Sequence, residues 1–563
     1  MMADDQPLGD RLLKMLGGFR VTLPQLPKFT LGQLPQNVSL RRLALLLVVG
    51  GVASIGIIGV LNAAAQAQSS DGRSLALPLL FVLLILIYRF AQRSLIRTAS
   101  SAIEESLQLM RSRIAGKLVR LDLDVFESLP RESMLASLGQ HYAAISDAIL
   151  PMALGVQSSA ILVLTVAYLI YLSPIAGIMT AALGLACAAI YIRHETELAA
   201  TMRVTADERM KLLAMLREVT DGFKELRLDA VKRQAVMEEV VNHSRLAAGA
   251  MAETASIHGR LMVFATSVAY VLAAACVLVL PVIDNVDQKH RFVILTVVLF
   301  FIGPLGGAVG SVQHFTTARF ALQQIRDFER RLDQLITDIP PAAPPVPFQS
   351  LQLREAAYQY TRTDSETPFN IGPLDFNLHQ GEIIFITGAN GSGKTTLLRL
   401  LTGLYRPRSG EIELNGATVT YSEYESYRQN FSTVLSDFHV FRCPYGFSDD
   451  QLEVLDRTLQ SLQIRHKLPQ DLRTGYDPSR LSTGQRKRLA LAVAVSEGRP
   501  VLVIDEWAAD QDPESRETFY RAVLPQLQKE GVTIVAVTHD DRYFDAANRR
   551  YHMEEGRLSL DAE

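Results

Sequence analysis

The residues whose types and spacing could do chemistry gather in the last third of the chain. Glu382 to Thr387 (EIIFIT) reads as an apolar strand. It runs into Gly388-Ala389-Asn390-Gly391-Ser392-Gly393-Lys394-Thr395, and Thr396-Leu397-Leu398-Arg399 opens a helical pattern. That is the GxxxxGK[ST] spacing of a P-loop in its strand–loop–helix setting. Glycines let backbone N–H groups approach phosphates with no Cβ in the way. The helix N-terminus adds favourable potential for an anion. Lys394 is spaced to reach the β- and γ-phosphates, and the Thr395 hydroxyl to bind Mg²⁺.

Three further elements follow. Val501 to Ile504 is an apolar run that ends in Asp505-Glu506. In a buried strand it delivers two carboxylates to the end where such sheets bind ligands. Asp505 suits a Mg²⁺ shell, and Glu506 suits polarisation of an attacking water. Leu481-Ser482-Thr483-Gly484-Gln485-Arg486-Lys487-Arg488 opens a helix with hydroxyl and glycine N–H groups, a second anion site. A domain whose P-loop already holds the phosphates would offer that site to a nucleotide on another copy. Val535-Ala536-Val537-Thr538-His539 is a strand ending in histidine, a group able to contact a γ-phosphate.

The elements that position this chemistry are of two kinds. Before residue 320 the chain holds long runs without Asp, Glu, Lys or Arg: 28 residues between Arg42 and Asp71, 15 between Arg73 and Arg89, 45 between Asp147 and Arg193, 23 between Arg260 and Asp284, and 27 between Arg291 and Arg319. About 20 helical residues cross a hydrocarbon layer. The longest run suffices for two crossings, turned at Ser173-Pro174. Six spans are expected, at about 43–66, 74–92, 149–172, 175–192, 261–283 and 292–313. Seven Lys or Arg lie in 92–143 and eleven in 193–260, with six more in the first tail. The positive-inside rule then places both long loops and both termini in the cytoplasm. Ala65-Gln66-Ala67 has the small-residue spacing of a signal-peptidase site, but its long lead and long apolar run fit a span better.

The two inner loops carry apolar residues at helical spacing, as in Leu107, Met110, Ile114 and Leu118. The spans are therefore expected to continue as cytoplasmic helices. Each loop breaks once, at Ser128-Leu129-Pro130-Arg131 and at Asp221-Gly222-Phe223. Pro340, Pro341, Pro344, Pro345 and Pro347 mark a stiff connector, after which short strands and helices alternate as in an α/β domain. The domains expected are a cytoplasmic tail 1–40, a transmembrane domain 41–338, a proline-rich linker 339–348 and an ATP-binding domain 349–563.

Composition excludes other classes. The chain has 563 residues, 48% of them hydrophobic and 20% charged, with 56 basic and 59 acidic side chains. This is too apolar for a disordered chain. Its near-zero balance gives no global basic surface for nucleic acid. Three cysteines, Cys187, Cys276 and Cys443, make neither a disulfide scaffold nor a zinc pattern.

The P-loop, LSTGQ, the DE-ended strand, Asp512 and His539, in this order, resemble the nucleotide-binding domain of an ABC transporter. Six spans with long cytoplasmic extensions resemble a half-transporter of the type IV exporter fold. The fold class implied is an α-helical transmembrane bundle followed by an α/β P-loop domain. The resemblance implies that Tyr360 stacks on adenine and that Gly388, Asn390, Gly391, Ser392, Gly393, Lys394, Thr395 and Thr396 hold phosphates and Mg²⁺. It implies that Ser482, Gly484 and Gln485 close on ATP bound by a partner subunit. Asp505 would serve Mg²⁺, Glu506 would be the catalytic base, Asp512 the D-loop contact and His539 the switch. The breaks near Pro130 and Gly222 would be coupling helices.

Two departures narrow the family. In Val434-Leu435-Ser436-Asp437-Phe438, Ser436 stands where the family's Q-loop has glutamine. Asp437 next door is the candidate substitute as a metal contact. The stretch from there to LSTGQ is short, so the helical subdomain should be reduced. These features, with Asp221–Leu226 and Gly475–Lys487, resemble the cyclic-peptide and siderophore exporters, a family that includes exporters of pyoverdine precursors and syringomycin-type lipopeptides. The resemblance implies ATP-driven export by a homodimer in a bacterial inner membrane, with ATP and Mg²⁺ as cofactors. A lipid flippase, multidrug exporter or siderophore importer keeps the machine and changes the cargo or direction. A membrane-embedded regulatory ATPase would lack transport. Asn62, Gln157, Ser158, Tyr168 and Tyr270 are candidate lining groups, although such residues in spans are more often ordinary interhelical contacts. Gly303-Pro304 and Gly306-Gly307 would either loosen span six or let it pack closely.

Overall fold

The computed structural model describes residues 40–67, 75–130, 134, 136–280, 288–336, 346–360 and 370–561. The tail 1–39 and most of the proline-rich linker, 337–345, lie outside them. The chain forms two compact units. One comprises residues 1–117 and 131–332, the other 118–130 and 333–563.

The first unit is helical. Its helices are α1 (Leu40–Ala67), α2 (Ala76–Leu118), α4 (His141–Leu172), α5 (Pro174–Asp221), α6 (Phe223–Leu228), α7 (Ala230–Leu278) and α8 (Gln288–Leu335). Among the described residues, five helical stretches are long and apolar enough to cross a membrane, namely Arg41–Ala64, Ala76–Leu118, Ala136–Leu172, Ala230–Leu278 and Arg291–Leu335. α5 opens with a shorter apolar stretch, Pro174–Ile190. Ser173 makes the turn between α4 and α5. Its backbone is extended, and its hydroxyl accepts from Ala176 N–H ahead of Pro174 in the first turn.

Small residues set the closest helix approaches. A Cβ on Gly155 of α4 would lie 1.9 Å from Ser311 Oγ of α8, and one on Gly307 of α8 would lie 2.5 Å from Ser158 Oγ. Gly307 of span six therefore serves packing, as close apposition of helices in a bilayer requires, whereas a Cβ on Gly303 would meet nothing within 4 Å. α8 runs unbroken through Pro304.

The second unit is α/β and includes a short helix from far upstream, α3 (Leu123–Ser128). Its first sheet is antiparallel, in the order β2-β1-β4-β5: β1 is Ser350–Gln359, β2 Asn370–His379, β4 Ser409–Leu414 and β5 Ala417–Thr418. The second has the order β10-β9-β3-β8-β7-β6, with β3 Ile383–Thr387, β6 Phe431–Val434, β7 Val501–Asp505, β8 Thr533–Val537, β9 Arg549–Glu554 and β10 Arg557–Leu560. All its neighbours pair in parallel except β9 and β10. Every residue of β3, β7 and β8 is buried, which is why these strands read as apolar runs rather than alternations. Register levels their ends: Ile386 pairs with Val537, and Asp505 pairs with Val537 on the other side.

Around the sheets lie α9 (Lys394–Leu401), α10 (Tyr424–Arg428), α11 (Asp449–Ser461), α12 (Thr483–Ser496), α13 (Pro513–Thr518) and α14 (Leu524–Lys529). Between β6 and α12 the one α-helix among the described residues is α11, followed by short 3₁₀ turns.

Candidate active site

The loop from β3 into α9 turns on three glycines with positive φ. Gly388 has φ 138°, and a Cβ there would lie 2.1 Å from Met553 O, so only glycine lets the loop pass β9. Gly391 has φ 81°, and Gly393, with φ 109°, caps α9 in a left-handed conformation. The unpaired amides at that helix start and the loop form an anion cradle. Ser392 is buried in the loop, with no partner for its Oγ among the described residues. Lys394, 5% exposed, donates to Gly388 O at 2.9 Å and to Ala389 O at 3.0 Å.

The level strand ends bring the other groups to this loop. Thr395 Oγ1 donates to Asp505 Oδ2 at 2.8 Å, and Asp505 is 2% exposed. Lys394 Nζ lies 3.9 Å from Glu506 Oε1, which lies 3.1 Å from His539 Nε2. Glu506 has φ 48° and ψ 40°, an uncommon backbone for a non-glycine residue and a common one at functional sites. Its conformation is held from both sides. Glu506 N–H donates to Val537 O at 3.2 Å, and Lys487 Nζ donates to Glu506 O at 2.7 Å. A hydroxyl and a buried carboxylate side by side are oxygen donors that fit a hard cation such as Mg²⁺.

Tyr360 directly follows β1, and its OH bonds Thr396 Oγ1 at 2.9 Å. Asn390 lies exposed in the loop between Gly388 and Gly391. Asp437 is engaged by Arg399 Nη2 at 3.0 Å.

The LSTGQ segment caps its own helix. Ser482 Oγ accepts from Gln485 N–H at 3.3 Å, and Gln485 Oε1 accepts from Ser482 N–H at 3.1 Å. Gly484 is required, because a Cβ would lie 2.7 Å from Asp510 O. This helix is fastened to the segment after Glu506. Lys487 pairs with Asp510 at 2.7 Å, Trp507 Nε1 donates to Lys487 O at 2.8 Å, and Arg488 Nη2 donates to Asp512 Oδ2 at 3.0 Å. Asp512 caps α13 by accepting from the Ser515 N–H and hydroxyl, bonds that hold its carboxyl below the usual range.

The break near Pro130, expected by resemblance to be a coupling helix, is preceded by α3, which belongs to this unit. Asp122 Oδ1 accepts from Arg406 Nη2 at 2.8 Å and from Arg428 Nη2 at 3.1 Å. Glu127 meets Arg399 at 3.2 Å. Asp122 and Glu127 look like ordinary surface acids in a basic, helical stretch, and their partners lie almost three hundred residues away.

A P-loop lysine, a threonine–aspartate pair and a glutamate–histidine pair at level parallel strand ends define a nucleoside-triphosphate-hydrolysing domain, here joined to a multi-pass helical unit. The ABC transporter family model matches residues 371–509. The chain is 29% identical over 537 residues to the ATP-binding protein SyrD of Pseudomonas syringae pv. syringae, covering 91% of this chain and 92% of that one. It is 27% identical over 225 residues to the pyoverdine export ATP-binding/permease protein PvdT of Pseudomonas fluorescens, covering 38% of this chain and 34% of that protein. A bacterial Atm1-family ABC exporter solved with ATP bound superposes with a TM-score of 0.73 at 18% identity, over 92% of this chain and 94% of that one. The chain belongs to the ABC transporter family and has the exporter fold: a helical membrane region followed by an ATP-binding domain. It is a multi-pass membrane ATPase whose ATP hydrolysis drives transport.

Proposed function

We propose that the chain is one half of a homodimeric exporter in a bacterial inner membrane, moving a peptide or siderophore-like compound outward. In this reading six spans cross the bilayer within 41–338, the ATP-binding domain occupies 349–563, and both termini are cytoplasmic. The gathering of Lys394, Thr395, Asp505, Glu506 and His539 at level strand ends carries the reading.

Tyr360 faces adenine, and the Gly388–Thr396 segment cradles the phosphates. Thr395 and Asp505 hold Mg²⁺, which when bound neutralises charge on the phosphate oxygens. Glu506 accepts the proton of the attacking water, while Lys394 and His539 stabilise charge on the γ-phosphoryl group. Ser482, Gly484, Gln485 and Asp512 face the nucleotide of the second copy. α6 supports a second copy: Leu228 and the neighbouring Val231 are 89% and 80% exposed, although both are apolar. Similarity to PvdT, a pyoverdine export protein, supports a siderophore-like cargo.

Two measurements test this. Glu506→Gln should bind ATP and accumulate as a closed dimer; a variant that hydrolyses normally overturns the assignment of Glu506. Inverted vesicles supplied with ATP should take up a fluorescent amphipathic peptide or a siderophore; uptake only by right-side-out vesicles overturns export.

A further inference from the structure

An unbroken series of side-chain contacts runs from Tyr360 to α3. The Tyr360 ring meets Tyr405 edge-on, with centroids 5.9 Å apart. Tyr405 also stacks on Tyr358, at 4.6 Å with planes 9° apart. Its ring is thus fixed on two sides within the core, and Tyr405 is 1% exposed. The Tyr405 hydroxyl accepts from Arg399 Nη1 at 2.6 Å and donates to Glu127 Oε2 at 2.5 Å. Arg399 Nη1 lies 3.2 Å from Glu127 Oε1, and Nη2 donates to Asp437 Oδ2.

Two features make this more than packing. Burial, then the bond to Glu127, pushes the Tyr405 phenol far above its ordinary range, so it stays a neutral donor to the carboxylate. The loop that lacks the family's glutamine is tied to the same arginine through Asp437. Lys394, Thr395, Asp505, Glu506 and His539 bond among themselves and to their own loop, whereas Thr396 Oγ1 bonds the Tyr360 hydroxyl, so phosphates act on the relay through that bond and a base acts on the ring itself. The ion pairs of α3 and its capping residue Asp122 go to Arg399, Arg406, Arg408 and Arg428.

We propose that Tyr405 is a positioning residue that ties occupancy of the adenine face at Tyr360 to the seating of α3 through Glu127. The helix then responds to the base of the nucleotide, not only to its phosphates. A base stacked on Tyr360 restrains that ring, which restrains Tyr405, whose hydroxyl fixes Glu127. The proposal rests on Tyr360 as the adenine contact.

Amide hydrogen exchange of residues 118–130 in the full-length protein in nanodiscs tests it. The protein carries Glu506→Gln, so that ATP persists. One arm is saturated with ATP, the other with inorganic tripolyphosphate, which offers phosphates and no base. ATP should slow exchange more than tripolyphosphate does, by about fivefold, the low end of ordinary coupling between sites. Tyr405→Phe keeps the rings and removes the O–H. It should bring the ATP effect down to the tripolyphosphate level without loss of ATP affinity. Glu127→Ala, at the outer end of the relay, should do the same. Equal protection by the two ligands in the parent overturns the proposal, as does an undiminished difference in either variant. Tyr360→Ala separates the underlying reading: unchanged ATP affinity in that variant sinks the adenine contact itself. Weakened affinity with an undiminished α3 response in Tyr405→Phe sinks the relay alone.

Discussion

Glu506 Oε1 lies 3.1 Å from His539 Nε2, although the two residues leave different strands. The parallel register of β7 and β8 makes the meeting possible, since Asp505 and Val537 are paired neighbours. His539→Ala should lower the hydrolysis rate by about 10²-fold, the usual loss on removing one preorganised electrostatic group. Nucleotide affinity should change little. Comparing turnover with equilibrium ATP binding checks this; equal losses in both would assign His539 to binding.

Gly484 leaves no room for a side chain, because Asp510 O lies 2.7 Å from where its Cβ would stand. Gly484→Ala should push the start of α12 away from the segment after Glu506. Turnover should fall by about 10²-fold, as a displacement near 1 Å costs when groups must converge. ATP binding measured at the P-loop should persist, because that loop lies on β3 and α9.

The P-loop, the DE-ended strand and the histidine strand were legible because each is a contiguous run whose local pattern is its structure. Buried parallel strands are apolar throughout, and glycines with positive φ leave a spacing that other loops lack. What joined them was not legible. Thr395 meets Asp505 across 110 residues through strand order alone. Ser482 and Gln485 read as ligand groups, and they cap each other on their own helix. The glycines of span six were open between loosening and packing; Ser158 against Gly307 favours packing at that position, and Gly303 has no such neighbour. α3 was legible as a helical break and, by resemblance, as a coupling helix, but the arginines it meets were not, because a surface acid carries no mark of a distant arginine.

Burial raises the Glu497 carboxyl above its ordinary range, and the bond from Ser432 Oγ at 2.9 Å offsets this only in part. A carboxyl raised in the fold favours folding while protonated. That contribution is full below the ordinary glutamate range and is lost as pH rises through the raised value. Glu497→Gln stays neutral and can still accept from Ser432. Its thermal midpoint should exceed the parent's at pH 7 and match it at pH 4; a lower midpoint at pH 7 would refute the sign.

In the helical unit, Gly155→Ala forces a methyl into Ser311, which stands 1.9 Å from the new Cβ. Overpacking of this kind costs about 1–3 kcal/mol. Thermal unfolding in detergent should show the loss, and Ser311→Gly in the same chain should recover most of it. Failure to recover would place the strain elsewhere.

The allegiance of residues 118–130 bears on how this ATPase can be prepared. A recombinant fragment starting at residue 333 would bare Tyr405, Arg406 and Arg428, the groups that α3 covers and neutralises through Glu127 and Asp122. Such a fragment calls for a synthetic 118–130 peptide added in trans, or for that segment grafted upstream through a flexible tether.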